Sequence, residues 1–171
     1  MPTLLLLRHA KSSWADPALD DHARPLAGRG RQAAARTGDW MRARQLRPDL
    51  VLCSTAARAR ETFDLLGPRL GASPPLRPLK SLYLAEPERL LQIVRRAPDD
   101  AGCLMLIGHN PGLQRFALLL VGEGRARDLR RMTRKFPTAA LARISFPGRG
   151  WREIGPGTGT LEALVRPKDL D

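Results

Sequence analysis

Cysteine, histidine and aromatic residues are scarce in this chain, and each scarcity excludes a class of protein. Of the 171 residues only two are cysteines, Cys53 and Cys103. Each lies inside an apolar run that reads as a strand, so buried, reduced thiols are expected and a disulfide framework is not. Paired-cysteine zinc spacing is absent. Histidine occurs three times, and His22 stands in a polar stretch without metal-ligand spacing. Aromatic residues make up 5% of the chain, and no basic run is interleaved with rings that could stack on bases. Long apolar runs are missing too. Leu4–Leu7 is far too short for a membrane span or a signal-peptide core. A soluble, cytoplasmic protein is expected.

What the chain has in excess is arginine. Its formal net charge is +12, which in principle suits an anionic partner. The arginines are scattered, however, among many Ala, Gly, Pro and Leu, a bias that suits a GC-rich genome. No specific nucleic acid and no membrane is expected as a partner. The length fits one domain over residues 1–171.

Apolar runs alternate with helical patterns. Strands are expected at Thr3–Leu7, Asp49–Cys53 and Cys103–Ile107. Helices are expected at Gly30–Leu46, ended by Pro48, and at Thr55–Leu66, Pro87–Arg96 and Pro111–Leu120. The stretch from Gly67 to Pro78 reads as loop. Thr138–Phe146, Trp151–Ile154 and Thr160–Val165 read as further strands of an antiparallel meander. The alternation argues an α/β fold with a mixed, mainly parallel central sheet between helical layers.

In such folds ligands bind at the carboxyl edge of the sheet, and three strand ends are chemically unusual. LLLLRH ends in Arg8 and His9. DLVLCS is followed by TAARARET, where Ser54 reads as a helix cap and Arg58 and Arg60 fall in the first helical turns. Cations there face the positive end of the helix dipole without a compensating carboxylate, which points to an anion near one of them. CLMLIGHNPG ends in His109, with Asn110 as a cap and Pro111 at the first helical position. A helix start favours phosphate. Arginines at these ends would repel a divalent cation and lower the pKa of His9. A neutral imidazole beside phosphorus is a competent nucleophile.

With RHA after the first strand, S-x-x-x-R-A-x-x-T at Ser54–Thr62 and GHNP after a later strand, the sequence resembles the histidine phosphatase superfamily, also called phosphoglycerate mutase-like. Short length, RPL at Arg24–Leu26 and G-x-Q-A from Gly30 make it most similar to the SixA-type phosphohistidine phosphatases. The resemblance implies a three-layer α/β/α fold and a phosphatase that needs no cofactor or metal. It implies that His9 is the nucleophile and that Arg8, Arg58 and His109 hold the phosphoryl group. Arg24, Ser54 and Asn110 are the expected substrate-binding residues. Two features depart from the family pattern. Ala10 replaces a common glycine, which requires that its φ not be positive. No carboxylate stands in a recognisable general-acid context, so Glu86, Glu88, Asp20 and Asp21 stay open as candidates, as does the absence of an acid. The expected substrate is phosphohistidine in a protein, with inorganic phosphate as product. A phosphatase of small phosphate esters and a non-catalytic phosphate-binding regulatory module are the alternatives.

Overall fold

Four consecutive leucines can all be buried only in a strand that is covered on both faces. In the structure, a computed structural model describing residues 1–170, that strand is β1 (Thr3–Arg8), with Leu4 to Leu7 fully buried. It is the middle strand of a seven-stranded sheet ordered β3-β2-β4-β1-β6-β7-β5. The others are β2 (Leu50–Ser54), β3 (Leu76–Leu79), β4 (Cys103–Gly108), β5 (Val121–Gly124), β6 (Leu141–Ser145) and β7 (Gly159–Val165). β1, β2, β3 and β4 run parallel, while β6 is antiparallel to both β1 and β7. The sheet is mixed and mainly parallel, as expected.

Alternation along β1 divides the leucines between two layers. Leu5 and Leu7 pack with Met41, Phe63 and Leu66 of α1 (Gly28–Ala43) and α2 (Ala57–Leu66). Leu4 and Leu6 face Leu90 of α3 (Pro87–Arg95), Phe116 of α4 (Gly112–Leu120) and Met132 of α5 (Ala126–Arg134). Both cysteines are free, Cys53 buried and Cys103 partly so. No helix among the described residues is long and apolar enough to cross a membrane.

Two close backbone approaches fix the layers around the sheet edge. A Cβ at Gly30 would lie 2.1 Å from the Lys11 carbonyl oxygen, and one at Gly112 would lie 1.9 Å from that of Ala85. These glycines let α1 and α4 press against the loops that border the ends of β1 and β4.

The structure corrects several expectations. α1 ends at Ala43, and the chain leaves it through Gln45 at φ 56°, before Pro48 is reached. The segment Gly67–Pro78 is not all loop. It holds a 3-10 turn at Gly67–Leu70 and most of β3, where Pro78 is tolerated because β3 is an edge strand. Trp151–Glu153 is a 3-10 turn rather than a strand, since the buried Trp151 donates its indole N–H to the Ala101 carbonyl at 2.7 Å. Between Leu120 and Thr138 no element was expected, yet β5 and α5 lie there. β5 carries two glycines and has no readable period, whereas α5 does carry a helical signal, Leu129 and Met132 at i, i+3 among charged residues, which sequence reasoning missed.

Candidate active site

The parallel pairing sets three carboxyl ends side by side. Arg8 is opposite Gly108 in the β1–β4 ladder, and Cys53 is opposite Ile107 in the β2–β4 ladder. His9, Ser54 and His109 therefore emerge next to one another. Arg58 reaches them from the first turn of α2. Its motif neighbour Thr62 locks that geometry: the hydroxyl donates to the Arg58 carbonyl at 2.6 Å and accepts the Ala10 N–H at 3.0 Å. Ala10 has no positive φ, so the missing glycine is accommodated.

Hydrogen-bond logic assigns both imidazole tautomers. His9 Nδ1 lies 2.7 Å from the Ala10 carbonyl, which can only accept, so Nδ1 carries the hydrogen. His9 Nε2 is left with a lone pair, and the Arg58 Nε–H points at it from 3.3 Å. His109 Nδ1 is 3.3 Å from Arg58 Nη2, a donor, so its hydrogen is on Nε2 and is donated to Ser54 Oγ at 2.7 Å. The two rings are 5.2 Å apart. Only 4% of Arg58 and 6% of His9 is exposed.

Burial, with Arg58 and Arg8 nearby, pushes His9 down to about 4, although the Ala10 carbonyl opposes this. His109 falls to about 3, through burial first and then His9 and Arg58. Both rings are neutral at pH 7. Burial and Arg58 also lower Arg8. Arg8 donates through Nη1 to the Phe136 carbonyl at 3.1 Å. Its Nε is buried without a partner, alone in this among the described residues, a state that costs roughly 1–3 kcal/mol.

One carboxylate reaches the cluster. Asp21 accepts from Arg58 Nη2 at 3.0 Å and from Arg24 Nη1 at 3.1 Å, and the Tyr83 hydroxyl donates to it. Tyr83 first, then Arg58 and Arg24, hold its carboxyl down to about 2 against the opposing effect of burial. Its backbone carbonyl also accepts from Arg58 Nη1 at 2.7 Å. Asp20 is exposed, and Glu86 lies 3.8 Å from Arg115. Among the described residues no hydrogen bond or ion pair links Asp20, Glu86 or Glu88 to His9, Arg8, Arg58 or His109.

The expected binding residues are placed differently from one another. Arg24 is buried beside Asp21, with Nε on the Ser13 carbonyl, Nη2 on Ser12 Oγ and its guanidinium under the Trp14 ring. Ser54 is fully buried and its Oγ accepts the His109 Nε2–H. It is the last residue of β2 rather than a helix cap, and its Oγ accepts the Ala56 N–H at 3.2 Å. Asn110 is tied to the fold, donating to Phe136 and accepting from Gln114. Pro111 precedes α4 instead of opening it. Sequence reasoning missed Tyr83 and gave no role to His22. The Tyr83 ring packs edge-on against both His109 and His22, and His22 Nε2 is 2.9 Å from Thr55 Oγ1. Tyr83 is the sole tyrosine of the chain, and that was its only signal.

The fold and this edge of the sheet define a phosphatase. Residues 4–82 match the family model of the histidine phosphatase superfamily, branch 1. An uncharacterized protein of Mycobacterium tuberculosis is 35% identical over 164 residues, covering 95% of this chain and 100% of its own. A candidate phosphohistidine phosphatase SixA from Agrobacterium tumefaciens is 29% identical, with a TM-score of 0.82 over 98% of this chain and 99% of that one. Another, from Nakamurella multipartitia, is also 29% identical, with a TM-score of 0.81 over 97% and 96%. The chain belongs to the histidine phosphatase superfamily and is of the SixA type.

Proposed function

We propose that this phosphatase works without a metal, through a covalent phospho-His9, and that its substrate is phosphohistidine in a protein. One observation carries the reading. His9 Nε2 presents a lone pair among Arg58, Arg8 and His109 while Nδ1–H is fixed on the Ala10 carbonyl.

In the first step Nε2 attacks phosphorus in line, a P–Nε2 bond forms and the bond from phosphorus to the leaving group breaks. The electron pair and a proton from solvent go to the leaving group. Arg8 and Arg58 stabilise the equatorial oxygens. A phosphoryl oxygen would satisfy the orphaned Arg8 Nε–H. Water then displaces His9, releasing phosphate. The nucleophile directly follows a buried central strand, so it is positioned before substrate arrives.

The substrate class follows from the proton supply. Asp21, the carboxylate at the site, is held ionised and donates no proton at neutral pH. An alkoxide is too basic to leave without a donor. Imidazole, with an ordinary pKa of about 6.5, is not. The SixA relatives are consistent with this substrate.

Brief reaction with labelled substrate and a quench should trap label that is acid-labile and alkali-stable. His9→Ala should lose both label and turnover. Full activity in that variant would refute the mechanism.

A further inference from the structure

Beside the candidate active site, on the same edge of the sheet, lies a second and strongly cationic feature. A cavity of about 480 Å³ is lined by Arg131, Arg134, Lys135, Arg166 and Lys168, with Pro137 and Thr138 on one wall. The topology puts it there. Leu7 pairs with Leu141, and Leu141 pairs with Val165. The chain entering β6 and the chain leaving β7 therefore both open where β1 ends. Thr138 directly precedes Ala139, whose N–H donates to the carbonyls of Arg8 and His9, each at 3.1 Å. Phe136, two residues before Thr138, takes Arg8 Nη1 on its carbonyl.

Local structure accounts for part of this charge. Arg131 and Arg134 stand in the last turn of α5, where cations suit the helix dipole. Arg166 pairs with Asp169 at 2.8 Å. Lys135 caps the same helix end, but that account does not cover Lys168, which converges on these cations from a different segment. Among the described residues no carboxylate pairs with Arg134, Lys135 or Lys168, and no acidic side chain lines the cavity. Arg134, Lys135 and Lys168, held together without a paired carboxylate, repel one another, and an acidic ligand relieves that repulsion.

Resting on the reading of the substrate as a phosphoprotein, we propose that this cavity is the docking surface for an acidic stretch of that protein flanking its phosphorylated residue. The cations come from the end of a helix, the turn after it and the turn after β7, and Arg134, Lys135 and Lys168 are exposed. Charge spread in this way suits an extended chain bearing several carboxylates better than one compact anion. Contacts of this kind set partner choice and encounter rate, and salt weakens them.

The test compares three substrates: p-nitrophenyl phosphate, a phosphohistidine peptide flanked by glutamates, and the same peptide flanked by glutamines. The wild-type enzyme should have a KM for the glutamate peptide lower by on the order of tenfold, with the advantage shrinking as salt rises. Arg134→Glu with Lys168→Glu should abolish that advantage and leave p-nitrophenyl phosphate kinetics unchanged, which also reports that the variant is folded. The neutral pair Arg134→Gln and Lys168→Gln should reduce it by less. Equal KM for the two peptides, or an advantage that survives charge reversal, overturns the proposal. If p-nitrophenyl phosphate is turned over but neither peptide is, the substrate reading fails. Docking is then judged by anisotropy of the unphosphorylated glutamate peptide, which should bind the wild type and not the charge-reversed variant. Tighter binding of inorganic tripolyphosphate or of single-stranded DNA, lost in the same variant, would assign the cavity to those anions and overturn the proposal.

Discussion

Arg58 and Arg60 are two positions apart on α2 and occupy opposite environments. Arg58 is buried against His9, His109 and Asp21, whereas Arg60 is exposed. Arg58→Ala should lower turnover on the order of 10²-fold or more, as the loss of an oxyanion donor does. Arg60→Ala should be nearly silent, and equal effects in steady-state kinetics would reassign the phosphate contact. The histidines make a second prediction. With His9 at about 4, the acid limb of kcat/KM should lie near pH 4 rather than at the ordinary histidine value. The same shifts affect stability. Both rings titrate near 6.5 when unfolded, against about 4 and 3 when folded. The unfolded chain thus binds more protons between those values. Stability is full above about pH 6.5 and falls as the pH drops through this window. Thermal unfolding at pH 7.5 and pH 5 should reveal it, and His109→Gln should flatten the difference.

At the scale of elements, the contact of α4 with the segment before α3 holds the His109 end of the site. A Cβ at Gly112 would meet the Ala85 carbonyl, and Ala85 is two residues from Tyr83. Gly112→Ala should destabilise the fold by about 1–3 kcal/mol, the usual cost of overpacking, and lower its melting temperature by several degrees. Turnover should fall as well, because Tyr83 packs on His109. Gly28→Ala is the control. Nothing lies within 4 Å of the added Cβ, so the melting temperature should be unchanged or slightly raised. A Gly112→Ala protein as stable and active as the Gly28→Ala protein would show that this contact does not hold the site.

For the molecule as a whole, a cationic site and an ionised Asp21 decide which reactions are open. Activity should survive EDTA, and vanadate should inhibit as a five-coordinate mimic of the transition state. Loss of turnover on chelation, restored by zinc or manganese, would refute metal-independent catalysis. Across aryl and alkyl phosphates of rising leaving-group pKa, kcat/KM should fall steeply, since the carboxylate at the site is ionised at neutral pH. A flat profile that Asp21→Asn abolishes would instead make Asp21 the acid.

The strand ends were legible because their signals are local. A run such as Leu4–Leu7 must be buried on both faces, and the polar residue that follows such a strand must surface at the carboxyl edge. Arg8, His9, Arg58 and His109 could thus be read as one constellation before their distances were known. Tertiary structure decided what depends on contacts remote in sequence. Asp21 lies 37 residues from Arg58, and Tyr83 lies 62 from Asp21. No period or motif ties them together, yet their contact brings this carboxylate to the site and holds its pKa below the ordinary aspartate value. The same holds for β5, whose weak pattern is held in place by pairing with β7. It holds also for the five cations of the cationic cavity, which lie in two segments, 131–135 and 166–168, that meet only because β6 and β7 run antiparallel beside β1.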